Sequence, residues 1–224
     1  MAIPGELVVV PDVPAAFAQR VIDAFRTRSL DTFSLALSGG ATARRCYERL
    51  ADVSGSQIDW WKVDVYWGDE RCVPHDDPAS NYHLAREALL DRVGAANATH
   101  LMRCAEGPDP YQLRLGDLGR IDLVHLGMGA DGHTASLFPE SAALDADPGR
   151  LVAMNDDPLG THPHQRMTLT FGGISRAALA LVTVTGEEKA PALAAIARGD
   201  DLPAARIASE QVVWLVDEAA ASQL

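Results

Sequence analysis

An aspartate and a histidine stand two residues apart in the glycine-rich stretch GMGADGHTASLFPES, residues 127–141. The stretch follows the apolar run 121–126, which has the character of a buried strand, and residues 134–138 are expected to begin a helix. Open α/β sheets bind ligands at such turns, outside the carboxyl ends of their strands. Because an imidazole has an unperturbed pKa of about 6.5, it can take and return a proton near neutral pH. His133 is therefore a candidate general base, with a helix cap or a gap-filling side chain as the structural alternative.

A second glycine-containing loop follows the apolar run 33–37 and reads Ser38-Gly39-Gly40-Ala41-Thr42. Its glycines let the backbone approach a ligand closely, and the helix expected after it offers free N–H groups to an anion. The hydroxyls of Ser38 and Thr42 add donors. A tight strand-to-helix turn with a cap is the alternative. The pattern is neither the P-loop nor GxGxxG, so it does not indicate a nucleotide.

A third polar loop, Gly68-Asp69-Glu70-Arg71, follows the apolar run 63–67. The rigid guanidinium of Arg71 suits a phosphate or a carboxylate. Surface ion pairs are the alternative for Asp69 and Arg71, and they are the preferred interpretation for Glu70. In a parallel sheet all carboxyl ends of the strands lie along one edge, so the three loops are expected to converge.

The elements that would position these loops alternate along the chain. Strands are predicted at 6–10, 33–37, 63–67, 99–103, 122–126, 166–171, 179–184 and 212–216, and helices at 13–28, 43–50, 82–92, 187–198 and 203–207. The alternation predicts an α/β fold with a mostly parallel sheet covered by helices on both faces. The run 166–171 alternates between apolar and polar residues, which predicts a half-exposed strand. Residues 1–224 show no repeat or interdomain linker and are expected to form one domain.

The charge balance limits the partners of the chain. Its 31 acidic and 19 basic residues give a net charge of −12. Nucleic acid is therefore excluded as a partner, because such binding is dominated by Lys and Arg contacts to phosphates. A small anionic ligand is not excluded, because a few local donors can hold one phosphate.

The chain is expected to be cytoplasmic. Residues 1–6 lack the basic and then apolar pattern of a signal peptide. No window approaches the roughly 20 apolar residues of a membrane span, so no membrane association is expected. Cys46, Cys72 and Cys104 are far apart and form no CxxC motif. They are interpreted as buried thiols in a reducing compartment.

The remaining histidines do not indicate a metal site. His162-Pro163-His164 resembles a metal-binding pair, and Cys72 with His75 has ligand-like spacing. Neither completes a ligand set, so no metal is expected. His125 lies within an apolar run and is interpreted as a hydrogen-bonded core residue. Three histidines are expected to be solvated: His75, His83 and His100.

Taken together, the motifs resemble the 6-phosphogluconolactonase family. LALSGG followed by Thr42, VYWGDERCVP with SNY downstream, GMGADGHTASLFP, and RMTLTF followed by VTGEEKA occur in that family's order, between about Glu6 and Trp214. The resemblance implies a three-layer Rossmann-like fold related to glucosamine-6-phosphate deaminase, without a cofactor. It implies hydrolysis of 6-phospho-D-glucono-1,5-lactone to 6-phosphogluconate in the oxidative pentose phosphate pathway.

The chain departs from the family pattern in two places. Ala41 stands where the family usually has a serine, and Ala43 where it often has a proline. The segment 104–120 is short for the helix that the family commonly has there. A parallel crossover needs about a dozen residues, so it can still close, but it is expected to leave one sheet face less covered.

Opening a lactone requires roles that residues of the loop 127–133 can take. His133 would activate water and later return a proton to the leaving alkoxide. Asp131 would orient the imidazole or contact a sugar hydroxyl. Backbone N–H groups between residues 127 and 132 would stabilise the oxyanion.

The substrate would be held by residues of all three loops and by two basic residues outside them. Arg71, Arg166 and Lys189 would bind the 6-phosphate. The predicted binding set also includes Ser38, Gly39, Gly40, Thr42, Asp69 and Gly129. The sequence leaves open which donor meets the phosphate and which meets the sugar, and it leaves the oligomeric state open, a monomer included.

Two alternatives belong to other classes of protein. A deaminase–isomerase of the related family has a glutamate five residues after the histidine, whereas this chain has Phe138, which cannot exchange protons. A non-catalytic sugar-phosphate-binding protein would keep the anion loop and lose the histidine. The retained His133 and the lack of an attached DNA-binding segment favour the hydrolase.

Overall fold

A wholly parallel seven-stranded sheet forms the centre of the molecule. The computed structural model describes residues 3–224. Numbered along the chain, the strands follow the spatial order Glu6–Val9 (β1), Gln211–Val216 (β10), Ala177–Val184 (β9), Ile121–Gly127 (β6), Phe33–Leu37 (β2), Val63–Trp67 (β3) and Ala98–Thr99 (β5). Every neighbouring pair in this sheet is parallel. The predicted α/β fold with a mostly parallel sheet is confirmed. The strand predicted at 99–103 is wrong in extent, because pairing with β3 ends at Thr99.

A second, smaller sheet is antiparallel. It consists of Asp69–Arg71 (β4), Arg166–Leu169 (β8) and Val152–Asn155 (β7), with β8 in the middle. The sequence did not predict β4 or β7. The strand at residues 166–169 is fully buried instead of half-exposed, because the polar side chains of Arg166 and Thr168 point into enclosed parts of the molecule.

Helices occupy the segments between the strands. They are Val13–Thr27 (α1), Ala41–Val53 (α2), Asn81–Ala85 (α3), Asp91–Val93 (α4), Asp109–Leu118 (α5), Phe171–Ile174 (α6) and Ala190–Arg198 (α7), with a π-helical segment, Arg86–Leu90, between α3 and α4. The Asp12 carboxylate caps α1 by accepting from the Ala15 N–H at 2.9 Å. The helix predicted at 187–198 begins with a 3₁₀ turn, Glu187–Lys189, that leads into α7. The helix predicted at 203–207 is a 3₁₀ turn, Pro203–Arg206. Among residues 3–224, no helix combines the length and apolar character needed to cross a membrane.

The segment 104–120 contains α5 despite its short length. Tyr111 and Leu115 of this helix are buried. The Tyr111 hydroxyl accepts from the Trp67 N–H at 2.8 Å and donates to the Trp67 carbonyl at 3.1 Å. One residue of α5 is therefore fixed to the end of β3, directly before the loop that carries Arg71.

The helix predicted at 134–138 is absent. Ala135 has a left-handed φ of 49°, and Thr134 and Leu137 form an isolated antiparallel bridge. The Thr134 hydroxyl donates to the Gly127 carbonyl at 2.9 Å, and the Ser136 N–H donates to the Thr168 hydroxyl at 3.1 Å. These contacts with other loops and strands replace helical hydrogen bonds.

The interpretation of all three cysteines as thiols is wrong for two of them. Cys72 and Cys104 form a disulfide with a Cα–Cα distance of 5.5 Å, whereas Cys46 is free and buried. The fold brings the chain after β4 beside the 3₁₀ turn Cys104–Glu106. The two cysteines are 32 residues apart in the sequence, and that spacing alone does not indicate that the fold brings them together.

Candidate active site

One cavity of about 290 Å³ collects the predicted loops. It lies beyond the carboxyl ends of β2, β6 and β9, where the antiparallel sheet meets the parallel one. All nine predicted substrate-binding residues line it: Ser38, Gly39, Gly40, Thr42, Asp69, Arg71, Gly129, Arg166 and Lys189. His133 also lines the cavity. The predicted convergence of the three loops is confirmed.

His133 and Asp131 form a closely bonded pair in the loop after β6. The His133 Nδ1 lies 2.6 Å from the Asp131 Oδ1. Burial acts to raise the pKa of the Asp131 carboxyl, but the hydrogen bond and the charge of His133 outweigh burial and lower it to about 2. Asp131 is therefore a carboxylate near neutral pH, and a carboxylate only accepts hydrogen bonds. In the neutral form of the imidazole the proton consequently resides on Nδ1, and Nε2 keeps a free lone pair.

The pair requires glycine at position 129. A Cβ there would lie 2.1 Å from the His133 Nδ1 and 2.3 Å from the Asp131 Oδ1, well inside van der Waals contact. The Gly129 N–H donates to the His133 carbonyl at 2.9 Å, and the Gly132 N–H donates to the Gly129 carbonyl at 3.0 Å. These two N–H groups therefore hold the turn and are not free for an oxyanion, and the expectation that N–H groups between residues 127 and 132 stabilise an oxyanion stays a prediction for the others. The turn uses its own donors to fix the imidazole.

Two arginines without carboxylate partners face each other in the antiparallel sheet. The register of β4 and β8 places Arg71 opposite Arg166. Arg166 is only 5% exposed, and its Nε and Nη1 have no hydrogen-bond partner within the described part of the chain. Burial and the nearby charge of Arg71 lower the pKa of Arg166. Of the ion pairs within residues 3–224, none includes either arginine. The alternative of surface ion pairs is therefore wrong for Arg71.

Arg71 is positioned by contacts that leave part of its guanidinium free. Its Nη1 donates to the Ala79 carbonyl at 2.6 Å, whereas its buried Nε has no partner among the described residues. Two adjacent cations with unused donors repel each other and bear a desolvation cost. This arrangement fits a small anion with several acceptor oxygens.

Asp69 and Glu70, which lie between β3 and Arg71 in the sequence, accept hydrogen bonds from neighbouring parts of the chain. Asp69 accepts from the Ser136 hydroxyl at 2.6 Å and from the Asn81 side-chain amide at 3.1 Å. Glu70 is 2% exposed, so the prediction of a surface ion pair for it is wrong. Its carboxylate accepts from three backbone N–H groups and one hydroxyl, those of Arg71, Asn81, Tyr82 and Ser80. Glu70 thereby closes the loop that follows Arg71.

The Ser38–Thr42 loop is shaped by close contacts with neighbouring elements. A Cβ at Gly39 would lie 1.8 Å from the Asn81 Oδ1, so only glycine fits there. Gly40 precedes α2 with a φ of 95°, and the first turn of α2 lines the cavity. The Thr42 and Thr185 hydroxyls lie 2.6 Å apart. Because the first N–H groups of a helix lack intrahelical partners, this end of α2 presents donors to the cavity.

His125 lies beneath this loop and is fully buried, which confirms its interpretation as a hydrogen-bonded core residue. Its Nδ1 is 2.9 Å from the Tyr47 hydroxyl and its Nε2 is 2.9 Å from the Thr183 hydroxyl. Burial lowers the pKa of His125 to about 3. The Tyr47 hydroxyl also accepts from the Ser38 N–H at 2.6 Å, so the base of the loop is fixed from below. The three histidines expected to be solvated, His75, His83 and His100, are only partly exposed.

His162 is a cavity residue that the sequence analysis did not place there. Its ring centroid lies 4.8 Å from that of His133, and its ring stacks on Phe138 with centroids 4.8 Å apart and an interplanar angle of 19°. The His162 Nε2 is 3.9 Å from the Asp131 Oδ2. The HPH pattern was the only signal for it, and no spacing rule links residue 162 to residues 131 and 133. Asn81, Ser136 and Phe138 also line the cavity without having been predicted as site residues.

Comparison with known proteins agrees with this geometry. A family model described as glucosamine-6-phosphate isomerases/6-phosphogluconolactonase matches residues 8–214. A 6-phosphogluconolactonase from Nostoc sp. is 36% identical, with 96% of this chain and 97% of that protein covered. Another from Mycobacterium tuberculosis is 35% identical, with 85% and 84% covered.

Solved structures show the same relationship. The crystal structure of 6-phosphogluconolactonase from Leishmania guyanensis superposes with a TM-score of 0.85 at 26% identity, covering 98% of each chain. A monomeric glucosamine-6-phosphate deaminase shares the fold, with a TM-score of 0.83 at 18% identity over 98% of this chain and all of that one. The chain belongs to the glucosamine-6-phosphate isomerase/6-phosphogluconolactonase family.

Proposed function

We propose that the chain hydrolyses 6-phospho-D-glucono-1,5-lactone to 6-phospho-D-gluconate, a step of the oxidative pentose phosphate pathway, without a cofactor. The names of its relatives support this activity. The observation that carries it is one cavity that joins a histidine–aspartate pair to two buried arginines without carboxylate partners. The proposal takes residues 1–224 as one domain that acts in the cytoplasm on a small phosphorylated lactone, with the oligomeric state open.

The chemical step uses the free lone pair on Nε2 of His133. Nε2 accepts a proton from water while the water oxygen attacks C1 of the lactone, and negative charge develops on the carbonyl oxygen. The bond between C1 and the ring oxygen then breaks, and the imidazolium returns its proton to the departing alkoxide. Asp131 holds the imidazole by its Nδ1 and stabilises the transient positive charge. The acid product ionises and releases a proton to solvent.

The phosphate is assigned to the arginine pair. Arg71 and Arg166 supply unpaired N–H donors, and Lys189 lines the same cavity. A net charge of −12 gives little long-range attraction for an anion, so binding depends on these close donors. The Ser38–Thr42 loop, Asp69 and Gly129 surround the sugar.

The oxyanion is assigned to the start of α2. The N–H groups of Gly129 and Gly132 are used within their turn. The first turn of α2 lines the cavity, and the N-terminal N–H groups of a helix favour negative charge.

The two alternatives fit the site less well. Phe138 packs on His133 with ring centroids 5.1 Å apart, so an apolar ring occupies the place of the glutamate that assists a deaminase. A binding protein without activity has no need of an imidazole whose proton and lone pair are fixed by a carboxylate at 2.6 Å.

The experiment supplies freshly generated 6-phosphogluconolactone and follows the formation of 6-phosphogluconate against an enzyme-free blank, because lactones also hydrolyse unaided. Product is expected to form well above the blank rate. A parallel assay offers glucosamine 6-phosphate and measures ammonia release. A rate equal to the blank, or ammonia release in place of lactone hydrolysis, would contradict the proposal.

A further inference from the structure

Three metal-binding side chains meet in the cavity. One potential ligand atom from each of Asp131, His133 and His162 lies within 4.8 Å of the other two. The three residues come from two separate loops, since His162 belongs to the segment between β7 and β8. Nothing in the hydrolysis mechanism above requires His162, and its ring nitrogen at 3.9 Å lies beyond hydrogen-bond distance of the Asp131 carboxylate.

The geometry points to a binding site for a zinc-class divalent cation formed by Asp131, His133 and His162, whose occupation blocks hydrolysis. Two imidazole nitrogens and one carboxylate oxygen are a donor set for zinc and similar transition metals, whereas magnesium and calcium prefer oxygen ligands alone. Three protein ligands leave a fourth tetrahedral position for water.

Small side-chain movements complete the coordination. Two ligands on a tetrahedral zinc ion are about 3.3 Å apart, given metal–ligand distances of about 2.0–2.2 Å. The His133 Nδ1 lies 2.6 Å from the Asp131 Oδ1 and the His162 Nε2 lies 3.9 Å from the Asp131 Oδ2, so the two separations, each to a different oxygen of the carboxylate, lie on either side of that value. The His162 ring can adjust because it is partly exposed and belongs to a loop. Its backbone N–H is fixed by the Asp157 carboxylate at 2.9 Å, and Phe138 supports one face of the ring.

A bound cation and the proposed hydrolysis exclude each other. The metal binds the His133 Nδ1, whose proton moves to Nε2, and an oxygen of the Asp131 carboxylate. The Nε2 lone pair and the carboxylate contact that the mechanism uses to move a proton are therefore both lost. This blocking effect rests on the proposed function, whereas the binding site itself does not. Binding and inhibition are therefore tested separately.

Binding is tested by titrating zinc alone into chelator-stripped protein in a calorimeter. The full-length chain is compared with His162→Asn and with His164→Asn, which changes an exposed histidine of the same loop outside the cluster. One zinc per chain is expected for the unaltered protein and for His164→Asn. His162→Asn should bind roughly tenfold or more weakly, since even changes outside the first coordination shell cost 10–100-fold. Absence of binding, or equal affinity in His162→Asn, would overturn the site.

Inhibition is tested with the lactone that lacks phosphate, because a phosphate would itself complex zinc. Zinc should stop hydrolysis and a chelator should restore it. The zinc concentration that halves the rate should be higher for His162→Asn than for the unaltered protein. The rate of each protein is expressed relative to its own rate in the presence of chelator. Stimulation by zinc, or an unchanged inhibitory concentration in His162→Asn, would overturn the blocking effect. If no variant hydrolyses a lactone, the proposed function fails, and the calorimetric result still decides the site.

Discussion

The two sides of the cavity differ in how their polar groups are satisfied. The base side, defined as Gly129, Asp131 and His133, lies on a loop of the parallel sheet and uses its donors internally. The anion side, defined as Arg71 and Arg166, lies on the antiparallel sheet and leaves guanidinium donors unpaired. The base side is thus arranged before substrate binds, whereas the anion side is completed only by a ligand.

This difference separates chemistry from recognition. A preformed proton-transfer pair acts on any lactone that reaches it, so changes on the base side should lower kcat for all substrates. Unpaired cations act only on a substrate that carries an anion, so changes on the anion side should raise KM for that substrate alone. Each kinetic prediction below tests one side of this division, and the last prediction concerns the buried His125 beneath the cavity.

The largest effect is expected for His133→Ala. Loss of a general base lowers kcat by at least roughly a hundredfold, and the loss should be the same for lactones with and without the 6-phosphate. Steady-state kinetics on both substrates measure this, with circular dichroism to show that the fold persists. Near-normal turnover would remove His133 from the mechanism.

Arg166→Ala should raise KM for the phosphorylated lactone. Hydrogen bonds to a charged group contribute about 1.5–3 kcal/mol, which corresponds to roughly tenfold to a hundred-and-fiftyfold in affinity. Activity on the unphosphorylated lactone should barely change. Arg71→Ala should behave in the same way.

The matched control for the arginine variants is Arg176→Ala, which removes an exposed arginine elsewhere. It should alter neither KM. Thermal unfolding should show that Arg166→Ala is no less stable than the unaltered chain, because the substitution leaves no buried carboxylate without its partner. A large loss of stability would show that Arg166 has a structural role instead.

Gly129→Ala should lower kcat with little change in KM. The new methyl group would collide with the His133 Nδ1 and the Asp131 Oδ1, so the pair must separate. The expected loss is of the order of tenfold, that of one charge-assisted hydrogen bond. Gly116→Ala is the control, because a Cβ there meets no other atom within 4 Å. Equal kinetics for both variants would show that the 2.6 Å contact is not needed.

The last effect concerns the stability of the chain at acid pH and leaves activity near neutral pH unchanged. Burial lowers the pKa of His125 to about 3 from 6.5, so the unfolded state takes up the proton first as pH falls. The contribution of neutral His125 is present above pH 6.5 and is lost toward pH 3, with a slope of up to about 1.4 kcal/mol per pH unit.

Chemical denaturation at several pH values measures this slope, and His125→Gln is the comparison because carboxylates contribute equally to both proteins. The unaltered chain should lose stability more steeply between pH 6.5 and 4. Parallel curves for the two proteins would show that His125 does not titrate in this way.

The parallel sheet was predictable because its strands are buried apolar runs. The bounds of β2 and β3 match the predicted runs 33–37 and 63–67. The loops at their ends converge because parallel strands share one edge. The antiparallel sheet was less predictable, since β4 and β7 have only three and four residues, too few for a periodic pattern.

Other features depend on contacts between distant residues. The disulfide, the position of His162 and the pairing of Arg71 with Arg166 all join separate segments, and local spacing carries no information about them. The false helix at 134–138 has a related cause, because its hydrogen bonds go to Gly127 and Thr168 instead. The residues of the site were thus predictable by type, and their mutual contacts were not.

The most direct test of the division between the two sides is one kinetic ratio. It is kcat/KM for the phosphorylated lactone divided by kcat/KM for the unphosphorylated lactone, measured for the unaltered chain, His133→Ala and Arg166→Ala. An unchanged ratio is expected in His133→Ala, and a ratio lowered roughly tenfold or more is expected in Arg166→Ala. A ratio that stays constant in Arg166→Ala while both activities fall together would contradict it.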